Sequence, residues 1–195
     1  MIRKLDPDKK ARFLQAALKL FVAQGVQNTS TAEIAREAGA AAGTLFLYFP
    51  TKQDLIHELV LNAGREQSAT IKSRLAPDLA VRETFHEIWY SSVSWFLDHP
   101  DAYQYVRQVR DSGMISGAVV QESAALFDFY YTAIAAGLAE GVVKPYPIDL
   151  TGGFLYAGIV ATTDFVRGQG DGADRAELIE MGFEIFWDGI KAAAE

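Results

Sequence analysis

The stretch "IAREAGAAAGTLFLYFPTKQDL", residues 34–55, interrupts a helical pattern and restarts it within a few positions. Gly39 and Gly43 lie in a segment otherwise rich in helix-forming residues, and Pro50 follows a cluster of aromatic and aliphatic side chains. Glycine readily adopts the left-handed conformation that ends a helix. We therefore predict two short helices joined by a tight turn, which is the arrangement of a helix-turn-helix.

The flanking residues place this turn inside a three-helix unit. Residues 9–24 carry an apolar helical stripe that ends at Gly25, and Ser30 precedes Glu33 with the spacing of a capping box. We expect a set of apolar side chains from the two short helices to face the core: Ile34, Ala35, Ala38, Leu45 and Phe49. The other face of the second helix then projects outward, where a helix of this kind can enter a major groove of DNA.

Composition limits the class of protein without deciding its function. The chain has 195 residues, half of them apolar, and no cysteine, which supports a sizeable core and excludes a disulfide scaffold. The net charge is -7, yet residues 1–55 hold eight Lys and Arg against five acids, and the remainder holds ten against twenty. This asymmetry indicates that the first segment meets a polyanion, with chance variation in solvated charge as the alternative.

The rest of the chain has helical periodicity and no alternating strand pattern, which predicts an all-α protein with about nine helices. Beyond the helix-turn-helix we expect helices at residues 52–75, 81–97, 102–111, 119–140, 149–167 and 175–194. The predicted domains are a DNA-binding domain at residues 1–50 and a larger helical domain at residues 51–195. No apolar run is long enough for a membrane span and the start has no signal-peptide core, so we expect a cytoplasmic protein.

The segment "TSTAEIAREAGAAAGTLFLYFPTKQDL" closely resembles the DNA-binding segment of the TetR family of transcriptional regulators. The resemblance covers roughly the first 60 residues. The positions that match the family pattern are Thr31, Ile34, Ala35, Ala38, Gly39, Gly43, Thr44, Leu45, Tyr48, Phe49 and Lys52. The resemblance implies phosphate contacts from Thr31, Tyr48 and Lys52. It also implies that a second set faces base edges: Ala42, Gly43, Thr44 and Leu47.

Several positions depart from the family pattern. Ala41 stands where serine is usual, so the second helix lacks a side-chain cap, and Phe46 replaces a frequent tyrosine. Ala42 replaces a frequent lysine, which leaves the Thr44 hydroxyl as the main hydrogen-bonding group. We predict a DNA site read largely through apolar contacts, including Leu47 on thymine methyl groups, and through DNA shape. The alternative is a helix-turn-helix that packs against protein.

Basic residues near the start form a second candidate contact with DNA. Arg3, Lys4, Lys9 and Lys10 suit an arm that reaches the phosphate backbone or the minor groove. A solvated, frayed N-terminus is the alternative.

The last two predicted helices suit dimerisation. Residues 149–167 carry small residues among large apolar ones, and residues 175–194 are apolar on more than one face. Such a terminal helix needs packing partners on two sides. A four-helix bundle between two chains, as in TetR-like proteins, would supply them and give a homodimer; the alternative is burial within one chain.

The resemblance also implies a small-molecule pocket among the middle helices. The candidate lining residues are the aromatic Trp89, Phe96, Phe127 and Tyr131 and the polar Ser92, Tyr103, Arg107 and Arg110. Arg107 and Arg110 could hold an acidic effector, or could pair with Asp101, Asp111 or Glu122. Aromatic side chains at helical spacing also form plain core, so that reading stays open.

We therefore predict a ligand-responsive transcriptional repressor that binds a palindromic double-stranded DNA operator as a homodimer and is released by a small molecule. We predict no cofactor and no metal, because "HELV" and "HEIW" each leave the metal motif H-E-x-x-H incomplete. The sequence holds no nucleophile elbow and no phosphate-binding glycine loop, which argues against an enzyme. A helical interaction module that has lost DNA binding, or a helical enzyme, are the alternatives.

Overall fold

The structure is a computed structural model that describes residues 5–170 and 172–193, with the exception of the Asp111 side chain. Within these residues it has ten α-helices, and its only bridge pairs Val143 with Lys191. In chain order the helices are α1 (Pro7–Gln24), α2 (Thr31–Glu37), α3 (Ala42–Tyr48), α4 (Lys52–Lys72), α5 (Val81–Asp98), α6 (Pro100–Asp111), α7 (Gly117–Ala125), α8 (Asp128–Ala139), α9 (Ile148–Gly168) and α10 (Arg175–Ile190). The all-α prediction is confirmed, with ten helices in place of about nine.

The additional helix arises where the sequence predicts a single helix over residues 119–140. The structure divides that stretch into α7 and α8. At the break, the Ser68 hydroxyl donates to the carbonyl oxygen of Leu126 over 2.6 Å, and the Lys72 ammonium lies 3.2 Å from the Asp128 carboxylate. Ser68 and Lys72 both lie on α4. The break therefore coincides with contacts between residues that are distant in sequence.

The last helix is shorter than predicted, since α10 ends at Ile190. The backbone N–H of Lys144 donates to the Ile190 carbonyl over 2.8 Å, and that of Ala192 donates to Val142 over 2.8 Å. Residues 191–193 therefore run beside the α8–α9 connection as extended chain, and Ala194 lies outside the described residues.

The first of two compact units comprises the described part of residues 1–64 together with residues 99–123. In it α6 packs against α1: the Tyr105 ring stacks on Phe21 at 5.8 Å, and its hydroxyl donates to the Ile56 carbonyl over 2.8 Å. Burial raises the pKa of the Tyr105 hydroxyl. By packing, this unit therefore extends beyond the residues 1–50 predicted to bind DNA.

The second unit comprises residues 65–98 and the described part of residues 124–195. Its core lies where α5 meets α9 and α10. Trp89 stacks on Phe186 at 5.3 Å, and its indole N–H donates to the Ile179 carbonyl over 3.2 Å. The imidazole of His86 lies 2.8 Å from Glu180, which adds a polar contact between α5 and α10.

Two glycines of α9 provide a matched test of this packing. A Cβ atom on Gly158 would lie 2.6 Å from the Trp89 ring, whereas one on Gly153 would meet nothing within 4 Å. We expect Gly158→Ala to lower the melting temperature by about 3–8 °C, because overpacking typically costs about 1–3 kcal/mol. Gly153→Ala should leave the melting temperature unchanged or raise it. Equal effects of the two changes, measured by thermal unfolding, would contradict this packing.

Candidate DNA-binding interface and effector site

The turn between α2 and α3 has the backbone conformation that the sequence predicts. Gly39 has a φ angle of +68°, in the left-handed region. Its N–H donates to Arg36 over 3.0 Å, and the N–H of Ala40 donates to Ala35 over 2.9 Å. These bonds use carbonyl groups that the end of α2 would otherwise leave without partners, so the chain can turn directly into α3.

The two short helices begin differently. The Ser30 hydroxyl accepts a bond from the Glu33 N–H at 3.2 Å, and the Glu33 carboxylate accepts one from the Ser30 N–H at 2.8 Å. The predicted capping box is therefore confirmed, and its hydrogen bonds from the Ser30 backbone and side chain hold the pKa of Glu33 below its usual range. At the start of α3, Ala41 offers no side-chain cap, also as predicted.

The α3 helix buries one face and exposes the other. Leu45 is fully buried, and Phe49 is buried directly after the helix end. Four residues at successive turns are exposed: Ala42, Gly43, Phe46 and Leu47, with exposed fractions of 44% for Phe46 and 65% for Leu47. Thr44 is half-buried beside them. Three of the four predicted base-facing residues therefore share the open surface, and Phe46 joins them although the sequence reasoning left it out.

The predicted phosphate-contacting residues belong to the same unit as this surface. The Tyr48 ring lies 5.4 Å from Phe13, and its hydroxyl accepts the Asp6 N–H at 3.1 Å, which leaves the phenolic proton free to be donated elsewhere. The Lys52 ammonium donates to the Val26 carbonyl over 2.6 Å and retains two further N–H donors. Thr31 is half-buried at the first residue of α2.

The predicted basic arm is only partly described. Arg3 and Lys4 lie outside the described residues. The Lys10 ammonium lies 2.8 Å from the Glu58 carboxylate on α4, and Lys9 is half-buried on α1. Lys10 therefore has an acidic partner within its own chain.

The predicted effector-contacting residues fall into both units. Tyr103, Arg107 and Arg110 lie on α6 in the first unit, where the Arg107 guanidinium donates to the Tyr103 hydroxyl over 3.2 Å. The remaining candidates belong to the second unit: Trp89, Ser92 and Phe96 on α5, Phe127 before α8, and Tyr131 on α8. Trp89 and Phe96 are buried, Phe127 is half-buried and Tyr131 is 46% exposed.

Polar groups between α5 and α8 form a small cluster that the sequence reasoning only partly found. The Ser92 hydroxyl donates to the Ile88 carbonyl over 2.6 Å and lies 3.0 Å from the Tyr130 hydroxyl, and burial raises the pKa of Tyr130 to about 12. The neighbouring Ser91 hydroxyl is buried and has no hydrogen-bond partner among the described residues. The signal for this cluster was the serine-rich run "SSVS", residues 91–94, between aromatic residues of α5.

The outer faces of α9 and α10 carry exposed apolar side chains that line an open groove of about 1100 Å³. The most exposed large side chains along it are Leu150, Phe154, Phe165, Met181 and Ile185, with Ile185 at 77%. Another face of α10 packs into the core of the second unit through Phe183 and Trp187. One apolar face of α10 therefore lines the open groove, and another is buried in the core of the second unit.

The described residues offer neither a metal site nor a membrane span. No group of three or more His, Cys, Asp or Glu side chains is placed to hold a metal ion among residues 5–170 and 172–193. Over the same part of the chain, every helix is too short or too polar to cross a membrane.

Comparison with known proteins places the three-helix unit in a family. The model of the bacterial regulatory proteins of the tetR family matches residues 13–59, which run from α1 into α4. Along almost the whole chain, a putative tetR family regulator of Shewanella sp. PV-4 superposes with a TM-score of 0.88 at 28% identity, covering 95% of this chain and 99% of that one. Residues 13–59 therefore match the tetR family, and the fold of nearly the whole chain is similar to that of a tetR family regulator.

Other relatives agree with this assignment. The HTH-type transcriptional regulator SrpR of Pseudomonas putida is 25% identical over 189 residues, which cover 92% of this chain and 84% of SrpR. A TetR family regulator of Marinobacter aquaeolei VT8 shares the fold with a TM-score of 0.86 at 22% identity, covering 98% and 100% of the two chains. The chain is therefore a transcriptional regulator similar to those of the TetR family and not an enzyme.

Gly43 provides a test of the α3 surface. Its φ is not positive, and a Cβ atom there would meet nothing within 4 Å, so the chain itself gives no reason for glycine in this helix. Gly43→Ala should raise the free energy of unfolding by up to about 1 kcal/mol. It should also weaken DNA binding about tenfold, because the added methyl group would meet the bound duplex.

Gly117→Ala is the matched control, since Gly117 begins α7 and also has open space around its Cβ position. Thermal unfolding and mobility-shift titration of both variants check the prediction. Unchanged DNA affinity of Gly43→Ala would show that α3 does not lie against the duplex at this residue.

Proposed function

We propose that this chain is a ligand-responsive repressor of the TetR family that binds a palindromic operator as a homodimer and is released by a small molecule. The observation that supports it best is the outward face of α3, whose exposed apolar residues lie outside the core cluster of the first unit. That unit contains residues 13–59, the segment that matches the tetR family.

The proposed contacts with DNA divide into two kinds. Thr31, Tyr48 and Lys52 contact phosphate groups and position the protein on the duplex. The phenolic proton of Tyr48 and the two remaining N–H donors of Lys52 support these roles. Ala42, Gly43, Thr44 and Leu47 face the base edges, which carry the sequence information.

The proposed dimer forms through α9 and α10. One recognition helix covers only a few base pairs, and two-fold dimers place a second such helix about 34–36 Å away on the next major groove. The exposed apolar residues of the groove, led by Phe154 and Ile185, support a second copy of this chain as the occupant. A four-helix bundle would remove these side chains from water.

The proposed effector binds among the predicted residues of the second unit, which are Trp89, Ser92, Phe96, Phe127 and Tyr131. Ser92 and Tyr130 already bond to each other, whereas the Ser91 hydroxyl lacks a partner among the described residues. A buried hydroxyl without a hydrogen bond typically costs about 1–3 kcal/mol, and a polar effector atom would remove that cost. These features support the α5–α8 region as part of the effector site.

The proposed coupling runs through α4, one continuous helix that contributes residues to both units. Effector binding tilts α4 and changes the spacing of the two recognition helices in the dimer. A 100-fold loss of operator affinity requires a coupling free energy of about 2.7 kcal/mol. The effector can supply it only by binding the two conformations with different affinities.

A second candidate is an interaction module that has lost DNA binding. The absence of a side-chain cap at Ala41 and the short side chain of Ala42 favour this alternative. The two proposals differ in whether the purified chain binds any duplex at low salt.

In-vitro selection from random duplexes tests DNA binding and pairing together. We expect an enriched palindrome, bound with an affinity that falls steeply as salt rises. Ile185→Asp should yield monomers in sedimentation and weaken operator binding at least about 100-fold, because a buried unpaired carboxylate opposes association. Glu184→Ala, on the same exposed turn, is the control and should preserve the dimer. Absence of any enriched duplex would favour the interaction module.

Competition between effector and operator tests the coupling. Compounds that release the selected duplex are titrated into the free protein and into the protein–duplex complex. The affinity for the compound should fall by the same factor by which the compound weakens operator binding. Equal affinity in the two titrations would remove the proposed effector response.

A further inference from the structure

The α3 helix has an unusual set of side chains for a helix that reads DNA. Its residues, "AGTLFLY", include no charged side chain and no amide. Thr44 is half-buried, and the Tyr48 hydroxyl already accepts a bond from Asp6. The side chains that form paired hydrogen bonds with guanine or adenine in the major groove, such as Arg, Lys, Asn and Gln, are therefore absent from this helix.

Two carboxylates of α2 already have partners within the chain. Glu33 bonds to Ser30 in the capping box, and the Glu37 carboxylate lies 2.5 Å from the Lys19 ammonium. Arg36 on the same helix is exposed. The surface that α3 itself exposes is apolar.

That surface includes two large apolar side chains. Phe46 and Leu47 are 44% and 65% exposed. In the preceding turn, Ala42 has only a methyl group and Gly43 has no side chain. In the major groove the apolar feature that distinguishes one base pair from another is the C5 methyl group of thymine. Burying one methyl group stabilises a complex by about 0.8 kcal/mol, or about fourfold in affinity.

We infer that α3 reads the C5 methyl groups of pyrimidines through Leu47 and Phe46, so that 5-methylcytosine can take the place of thymine in its site. The inference rests on the proposed function and specifies which chemical group of the operator carries the sequence information. It follows that methylation of cytosine at carbon 5 changes which DNA sites this protein binds.

Replacing thymine by uracil tests the inference, because uracil differs from thymine only in lacking the methyl group. The probe is the duplex selected from random sequence by the full-length chain, with each thymine changed singly to uracil. We expect affinity to fall about fourfold at one or more thymines in each half-site and to stay constant in the flanks. At those positions a 5-methylcytosine·guanine pair should bind about fourfold more tightly than a cytosine·guanine pair.

Protein variants identify the side chains that contact the methyl groups. Leu47→Ala should abolish the difference between thymine and uracil at one position of each half-site while leaving the melting temperature unchanged, because Leu47 is mostly exposed. Phe46→Ala should do the same at another position. Tyr48→Phe is the control: it removes a proposed phosphate donor, so it should weaken the thymine and uracil duplexes by the same factor.

The outcomes separate this inference from the proposed function. If selection enriches no duplex, the proposed function fails. If selection enriches a palindrome whose affinity changes by less than about twofold on every thymine-to-uracil change, DNA binding stands and methyl-group reading is wrong. A difference between thymine and uracil that persists in both Leu47→Ala and Phe46→Ala would also overturn the inference.

Discussion

Helices of seven residues are unstable in water by themselves, and both α2 and α3 have that length. Their conformation therefore depends on packing against the rest of the first unit. The Phe13 ring of α1 lies 5.4 Å from Tyr48 and 6.5 Å from Phe49, while Leu45 is fully buried in the same cluster. The position of the exposed α3 face is thus set by the buried side of the unit, and α6 extends that cluster through Tyr105.

Local chemistry made the first unit predictable from the sequence. The Ser30–Glu33 spacing, the glycine at position 39 and the apolar periodicity of α1 each require little more than neighbouring residues. The same sequence region carries the resemblance to the TetR family. The local pattern and the resemblance therefore both predicted a helix-turn-helix. The two faces of α10 were also foreseen, because an all-round apolar helix needs two packing partners.

Contacts between distant residues account for what the sequence left undetermined. The break between α7 and α8 coincides with the bond from Ser68 to Leu126, which no local pattern announces. Periodicity marked Trp89 and Phe96 as apolar but did not show that they are buried, and it did not single out Ser91 as the unpartnered hydroxyl. Phe46 is likewise only one of several aromatic residues in the sequence. Its exposure in the structure makes it a candidate contact with DNA.

The exposed apolar faces of α9 and α10 also bear on the life of a newly made chain. An unpaired copy leaves side chains such as Phe154 and Ile185 in contact with water, and surfaces of this kind promote aggregation and recognition by chaperones and proteases. If a second copy covers the groove, dimerisation protects both chains from aggregation and from recognition by chaperones and proteases. The intracellular lifetime of the protein would then rise with its own abundance, so a cell that stops synthesising it would clear the remaining single copies quickly.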